Sequence, residues 1–365
     1  MLQGHWDGDI TPLGERQIAA LAERFRDIPV DVLVSSDLYR TRATASAIMK
    51  YHSLEMKTDP RLREIMLGDW EARYFGDVAH ETPELNDRFW NDPEKFYKPG
   101  TETYFDVQRR MCEAMFEIAQ ENDGKTVAVV SHGAAIRCFM AFVIGIPLAD
   151  KVDLPVFDNT AVTRLLFSEG RFTCEYMNDI SHLDPSSPPG WGKAPNLRGE
   201  PVNPATIRDM YASAYLDTWI LSKGSTKGYQ EEIYLSAACD HYRAMKESVM
   251  ELFDGDVPAG LLDLDIRRGK DENIGWVSLL YLFPDYRGRG CAMQLLSRAE
   301  MLYKKLGREA LRLTVSGSND KAVGFYDRAG FEKLSEEKRA GGNLLLLEKR
   351  FDKEKMFLKK ESENG

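Results

Sequence analysis

Arg287-Gly288-Arg289-Gly290-Cys291-Ala292 stands between a run that reads as a buried strand and one that reads as an amphipathic helix. Val277, Leu279, Leu280, Tyr281 and Leu282 come before it, and Met293, Leu295, Leu296, Ala299, Leu302 and Leu306 follow at helical spacing. A glycine turn at such a junction aims consecutive backbone N–H groups at one point, beside the positive end of a helix. That arrangement binds phosphate or pyrophosphate. Gly288 and Gly290 permit positive φ and place no side chain between the backbone and the anion.

A second set of chemically capable residues lies in the first half. Asp31-Val32-Leu33-Val34 reads as a short buried strand ending in Ser35-Ser36-Asp37, and a helix with Leu38, Ala43, Ala45, Ala47 and Ile48 follows. Thr126 to Val130 reads as another strand, ending in Ser131-His132-Gly133 and leading into a helix with Ile136, Phe139, Met140, Phe142 and Val143. Strands alternating with helices imply a parallel or mostly parallel α/β sheet, and such sheets bind ligands at the carboxyl ends of their strands. Arg40 and His132 both follow strand ends. A guanidinium and an imidazole meeting there suit a phosphate ester, the one neutralising charge and the other handling a proton.

The Arg-x-x-Gly-x-Ala spacing, the strand Ala310 to Val315, and then Asn319, Ala322, Phe325-Tyr326 and Ala329-Gly330-Phe331 together resemble the GNAT superfamily of N-acyltransferases. The resemblance covers residues 206 to 351. It implies acetyl-CoA as co-substrate, held by Leu282, Arg287, Gly288, Arg289, Gly290, Cys291, Ala292 and Asn319. It implies Tyr326 as the general acid that protonates the departing thiolate. A phenol with a reference pKa near 10 is protonated at neutral pH and able to donate. The general base stays open. Trp276 to Phe283 carries no carboxylate where many relatives have glutamate. Asp263 and Asp265 are candidates, a solvated strand face explains them equally well, and a water relay is a third possibility. The helical stretch from Ile207 to Leu252 is expected to supply the pocket for a small-molecule or peptide amine.

The first half resembles the histidine phosphatase (phosphoglycerate mutase-like) superfamily in four places. These are Gln3-Gly4-His5-Trp6-Asp7 with Thr11-Pro12-Leu13-Gly14, Ser35 to Ala45, Leu62 to Glu71, and Val129 to Gly133. The resemblance implies Arg40 and His132 on the phosphate of a phosphomonoester and Glu64 as proton donor. The family's nucleophile is a histidine in an Arg-His-Gly motif closing the first strand, and these 365 residues contain no such motif. His5 follows Gly4 in a later turn, with no apolar strand before it. The expectation is therefore a phosphatase-like domain that binds phosphate esters but lacks its first strand and its nucleophile. A strand of about five residues buries about four large apolar side chains, worth roughly 6–12 kcal/mol. That loss is comparable with a domain's whole stability of roughly 5–15 kcal/mol. Two alternatives accompany the expectation: a start internal to the gene, hence a truly bifunctional enzyme, or a decayed phosphatase kept as a platform. A non-enzymatic acyl-CoA sensor is the reading from another class.

The whole chain frames these sites. Its 365 residues favour two domains. Six of its 16 prolines fall between Asp184 and Pro204, which marks a linker. The expected order is a three-layer α/β phosphatase-like domain over 1–183, a linker over 184–205, a mixed α+β GNAT domain over 206–352 and a charged tail over 353–365. A net charge of -10 disfavours nonspecific binding to nucleic acid or anionic membrane. Five scattered cysteines without a Cys-x-x-Cys pair fit reduced thiols, with no disulfide and no metal site. With no signal-like start and no long apolar run, the expected location is the cytoplasm. His5, His52, His80, His182 and His241 read as structural or exposed.

Overall fold

The computed structural model describes residues 1–184, 194–338 and 343–351, and the chain divides into two compact units. One holds the described residues up to 184 except Phe75–Asp77. The other holds Phe75–Asp77 and the described residues from 194 onward.

In chain order the first half comprises α1 (Pro12–Phe25), β1 (Val32–Ser35), α2 (Tyr39–Met49), β2 (Met56–Thr58), α3 (Phe75–Glu81), α4 (Pro83–Asn91), α5 (Tyr104–Glu121), β3 (Val127–Val130), α6 (Gly133–Ile144), β4 (Val162–Ser168) and β5 (Arg171–Asp179). Thr11 starts α1 by accepting the Gly14 N–H at 3.1 Å, with Pro12 in the first turn. Thr103 and Asp106 form a capping box that starts α5. Strands β2, β1 and β3 lie parallel in that order, while β4 and β5 form a separate antiparallel pair. Leu33 of β1 packs with Val30, Ala45 and Ile48 on the α2 side. Among the described residues β3 has β1 on one edge and no strand on the other, and it is half-buried along its whole length. A further strand would complete that edge.

The second unit comprises β6 (Arg198–Pro201), α7 (Arg208–Lys223), α8 (Glu231–Ala244), β7 (Val249–Asp254), β8 (Val257–Leu264), β9 (Ile274–Leu282), α9 (Ala292–Lys305), β10 (Ala310–Ser316), α10 (Asp320–Arg328), β11 (Glu332–Glu337) and β12 (Leu344–Arg350). The strands make one sheet in the order β11-β12-β10-β9-β8-β7-β6. Alternation sorts its residues between two cores. Leu262, Leu264, Val277 and Leu282 pack with Leu295, Leu296, Ala299 and Tyr303 of α9. Leu261, Leu279 and Tyr281 pack with Tyr211, Ala214, Leu235 and Ala238 of α7 and α8.

One expected boundary is corrected here. Residues 198–201, assigned to the linker, form the edge strand β6, and Leu197 is fully buried in the second core. Pro201 is compatible because it ends an edge strand, where a missing N–H costs little. The tail over 353–365 and the middle of the linker lie outside the described residues.

The pairing of β9 matters most for function. It runs parallel to β10 over three pairs alone, Ile274 to Trp276 against Ala310 to Arg312. Beyond Trp276 the two strands diverge, and β10 continues with β12 as its partner. The register of β9 against β8 slips at the same place: Asp263 faces Leu279 and Leu264 faces Val277, leaving Ser278 as an extra residue. Such a bulge bends its strand and re-aims its continuation.

The paired end is held by close packing. A Cβ on Gly275 would lie 2.3 Å from the Tyr303 ring, whose hydroxyl donates to the Trp276 carbonyl at 2.7 Å. Gly275→Val should therefore destabilise the second unit by roughly 1–3 kcal/mol or more through overpacking. Urea unfolding checks this; an unchanged midpoint would mean that Tyr303 does not seat on the strand.

Candidate functional site

In the first unit, β1 and β3 end side by side, with Ser35 opposite Val130. Their carboxyl ends deliver Ser36 and His132 to one place, where His132 Nε2 lies 2.9 Å from Ser36 Oγ. Burial holds the His132 imidazole well below its ordinary pKa, and the nearby Arg40 charge pushes the same way, so the ring is neutral. Arg40, in the first turn of α2, donates to the Gly4 carbonyl at 2.7 Å and the Trp6 carbonyl at 3.1 Å. Asp7 sits 3.5 Å from its guanidinium and accepts the N–H of Tyr39 at the start of the same helix. Arg40 is thus folded onto the N-terminal turn.

Glu64 is bound to the start of α6. Its carboxylate accepts the N–H groups of Ala134 at 3.1 Å and Ala135 at 3.0 Å, directly after His132. A negative charge at a helix N-terminus is favourable. His5 Nε2 lies 2.9 Å from the Glu64 carbonyl oxygen, so that nitrogen carries a hydrogen. Burial lowers the His5 pKa, which makes the ring neutral as well.

Two arginines that the sequence did not single out position this group. Arg110 gathers the carbonyls of Arg61, Arg63 and Glu64 at 2.6–2.8 Å and pairs with Glu102. Arg63 forms a bidentate pair with Asp37. Both depend on long-range contacts and carry no local signal.

In the second unit, the residues from Arg287 to Cys291 turn tightly between β9 and α9. Gly288 and Gly290 have φ of +74° and +82°, which favours glycine at both. A Cβ on Gly288 would meet nothing within 4 Å, so the space beside the turn is open. Cys291 precedes α9 without a side-chain cap, and the first N–H groups of a helix lack intrahelical acceptors. The turn, the helix start and the gap between β9 and β10 therefore fit an extended molecule with a pyrophosphate at one end.

The expected cofactor residues divide in their surroundings. Arg287 donates from Nε to the Leu282 carbonyl at 2.8 Å and pairs with Asp217, which also accepts from Tyr281 at 3.0 Å. Arg289 is exposed and lies over the Tyr286 ring at 5.4 Å. Cys291 is fully buried, and burial raises its thiol pKa. Asn319 caps α10 by accepting the Ala322 N–H at 3.2 Å. Tyr326 packs edge-on against Phe331 with ring centroids 5.3 Å apart. Its hydroxyl makes no hydrogen bond to a described residue, and burial raises its pKa.

The reading of Asp263 as part of a solvated face is overturned. It is 2% exposed and accepts from Tyr211 Oη and His241 Nδ1, each at 2.7 Å. Asp265 accepts the N–H groups of Arg267 and Arg268 and faces His241 Nε2 at 3.5 Å. Both carboxylates are committed to the fold. His241 is a half-buried partner of both, and its distance in sequence from them concealed the pairing.

An α/β unit with Arg40 and His132 at its strand ends, and a second with a bulged strand diverging beside a glycine turn, define two enzyme classes. Residues 1–180 match the family model of the histidine phosphatase superfamily (branch 1), and residues 207–331 match that of the acetyltransferase (GNAT) family. The chain belongs to the histidine phosphatase superfamily through its first half and carries a GNAT acetyltransferase domain in its second. It is 31% identical over 188 residues to a probable phosphoglycerate mutase GpmB of Yersinia pestis, spanning 50% of this chain and 87% of that one. The corresponding protein of Escherichia fergusonii is 29% identical over 188 residues, with the same 50% and 87% coverage. The solved structure of Bacillus stearothermophilus YhfR matches with a TM-score of 0.49 at 30% identity, over 50% of this chain and 90% of that one. Among the described residues no helix is long and apolar enough to cross a membrane, and no group of three or more His, Cys, Asp or Glu is placed to hold a metal ion.

The His241 contacts yield a pH prediction. Burial opposes its charge, but the Asp263 hydrogen bond and the charges of Asp263, Asp265 and Asp240 outweigh burial and raise its pKa. A raised folded-state pKa gives stability that is fully present below the unfolded value, near 6.5, and lost as pH rises through the folded value. The stability advantage of the wild type over His241→Gln should shrink between pH 6 and pH 8.5 in urea titrations. A constant difference across that range would mean that His241 is neutral throughout.

Proposed function

We propose that the second unit transfers an acetyl group from acetyl-CoA to an amine. The observation that carries this reading is the divergence of β9 from β10 immediately before an open glycine turn at a helix N-terminus. The turn from Arg287 to Ala292 would hold the pyrophosphate, and the free edge of β9 from Val277 to Leu282 would align the thioester arm. Acetyl-CoA supplies the activated acyl carbon and a thiolate leaving group. Holding two reactants in line accounts for much of the rate gain. Tyr326, kept protonated by burial, gives its hydroxyl proton to the sulfur as the C–S bond breaks. With Asp263 and Asp265 already hydrogen-bonded within the fold, the proton lost by the amine leaves through water.

Saturating acetyl-CoA at about a hundredfold over Kd should raise the melting temperature of the second unit by roughly 5–10 °C. Gly290→Trp should abolish that rise, because the side chain stands where the anion goes and φ is unfavourable. Tyr326→Phe should keep the rise and lower kcat roughly 100-fold. Thermal-shift titration and thiol release with an amine panel check these outcomes. No shift at saturating acetyl-CoA counts directly against acyl transfer. A shift without turnover on any amine favours the acyl-CoA sensor.

For the first unit we propose a phosphate-ester site that these 365 residues alone do not turn over. Arg40 would exchange the Gly4 and Trp6 carbonyls for phosphate oxygens, and His132 would donate to a third. His5 Nε2 carries a hydrogen toward the Glu64 carbonyl, and a protonated ring nitrogen has no lone pair for phosphorus. Hydrolysis of an aryl phosphate by this chain should not exceed that of His132→Ala. Robust His132-dependent turnover would overturn the proposal and make His5 Nδ1 the first nucleophile to test.

A further inference from the structure

At the end of β9 away from the glycine turn, a cleft of about 390 Å³ is lined by Ala244, Ile266, Arg267, Lys270, Leu306 and Arg308. Its floor is apolar, from the end of α8, the segment after β8 and the end of α9. Its charged lining is entirely basic, in a chain whose net charge is -10. Two nearby carboxylates have partners of their own. Asp265 accepts the N–H groups of Arg267 and Arg268 at 3.1 and 3.0 Å, and Glu272 pairs with Arg312 at 2.8 Å. Among the described residues, the side chains of Arg267, Lys270 and Arg308 form no ion pair.

Arg308 provides an independent observation. Its two terminal nitrogens reach the Lys270 and Ile266 carbonyls at 3.1 and 3.3 Å, which fixes the guanidinium across the cleft wall. Its Nε is buried and has no hydrogen-bond partner among the described residues. Buried donors are seldom left unsatisfied, so this N–H is one the resting structure does not pair. A guanidinium edge held in one orientation, beside a second arginine and a lysine, is the arrangement that grips a phosphate group. The cleft volume falls in the range of small-ligand sites and exceeds what inorganic phosphate fills.

We infer that this cleft binds a small phosphorylated organic molecule, its phosphate on Arg308, Arg267 and Lys270 and its apolar part on Ile266 and Leu306. The site is separate from the glycine turn, since the nine residues of β9 lie between them, about 30 Å of extended chain. It rests on no assumption about acyl transfer.

The test uses the full chain carrying Arg40→Gln, which removes a guanidinium from the first unit's site, with acetyl-CoA in excess to occupy the turn. Phenyl phosphate and inorganic phosphate are titrated by calorimetry, with and without Arg308→Gln. Phenyl phosphate should bind more tightly than inorganic phosphate, and Arg308→Gln should weaken it about tenfold, the scale of one charge-assisted contact. Arg267→Gln, at an exposed position that folding does not need, should weaken it about threefold. Equal affinity in all three proteins would overturn the inference. So would binding in the tens of millimolar that disappears at ordinary ionic strength.

Discussion

The extra residue at Ser278 is the constraint on which the acyltransferase half depends. An unbulged β9 would stay in register with β10 along its length, and the sheet would close over the place a ligand needs. With the bulge, the backbone groups on one edge from Val277 to Leu282 face no strand among the described residues. Exposed strand edges need a partner from water or ligand. The opening does not collapse because both diverging strands are held on their outer sides. Strand β8 follows β9 to Leu282, and β12 follows β10 to Ser316. The cores on both faces then fix the angle, with α9 below and α7 above. One end of β9 is consequently packed tightly enough to exclude a methyl group, while the other stands open.

The phosphatase-like half is organised around side chains that collect backbone carbonyls and amides. Arg110 draws three carbonyls from the 61–64 segment to one guanidinium, and this places Glu64 at the start of α6. Glu64 in turn fixes the first turn of α6 behind His132. Asp7 does the same for α2 and Arg40. Arg40 and His132 therefore each sit beside a helix start that is held by a side chain from elsewhere in the chain. The buried His132 imidazole and the Arg40 guanidinium gain fixed positions this way.

Much of this was legible in local pattern. The strand-turn-helix around Gly288 and Gly290 could be read because glycine spacing and apolar periodicity act over a dozen residues. So could the strand ends that deliver Arg40 and His132. What could not be read depended on contacts between distant segments. Asp263 and Asp265 alternate as a solvated edge would, yet α7 and α8 bring Tyr211 and His241 over them. The prolines around Arg198 suggested a linker, but Leu197 fills the core and Pro201 sits where an edge strand tolerates it. Ser278 has no signature of its own, since a bulge is a relation between two strands.

The surroundings of Arg287 bear on how the proposed site at the turn would attract an anion. Its guanidinium is paired with Asp217 and bonded to the Leu282 carbonyl, so its net charge toward the turn is largely cancelled. Arg289 is solvated and screened. The attraction therefore comes mainly from backbone N–H groups and from the N-terminus of α9, whose direction the fold sets. Fixed dipoles need no side-chain ordering on binding, whereas a flexible arginine loses rotamer freedom when it is immobilised. On the proposed reading, a chain with a net charge of -10 would hold an anionic molecule at this turn chiefly through backbone groups. Arg287 also ties α7 to the end of β9, through Asp217 and the Leu282 carbonyl.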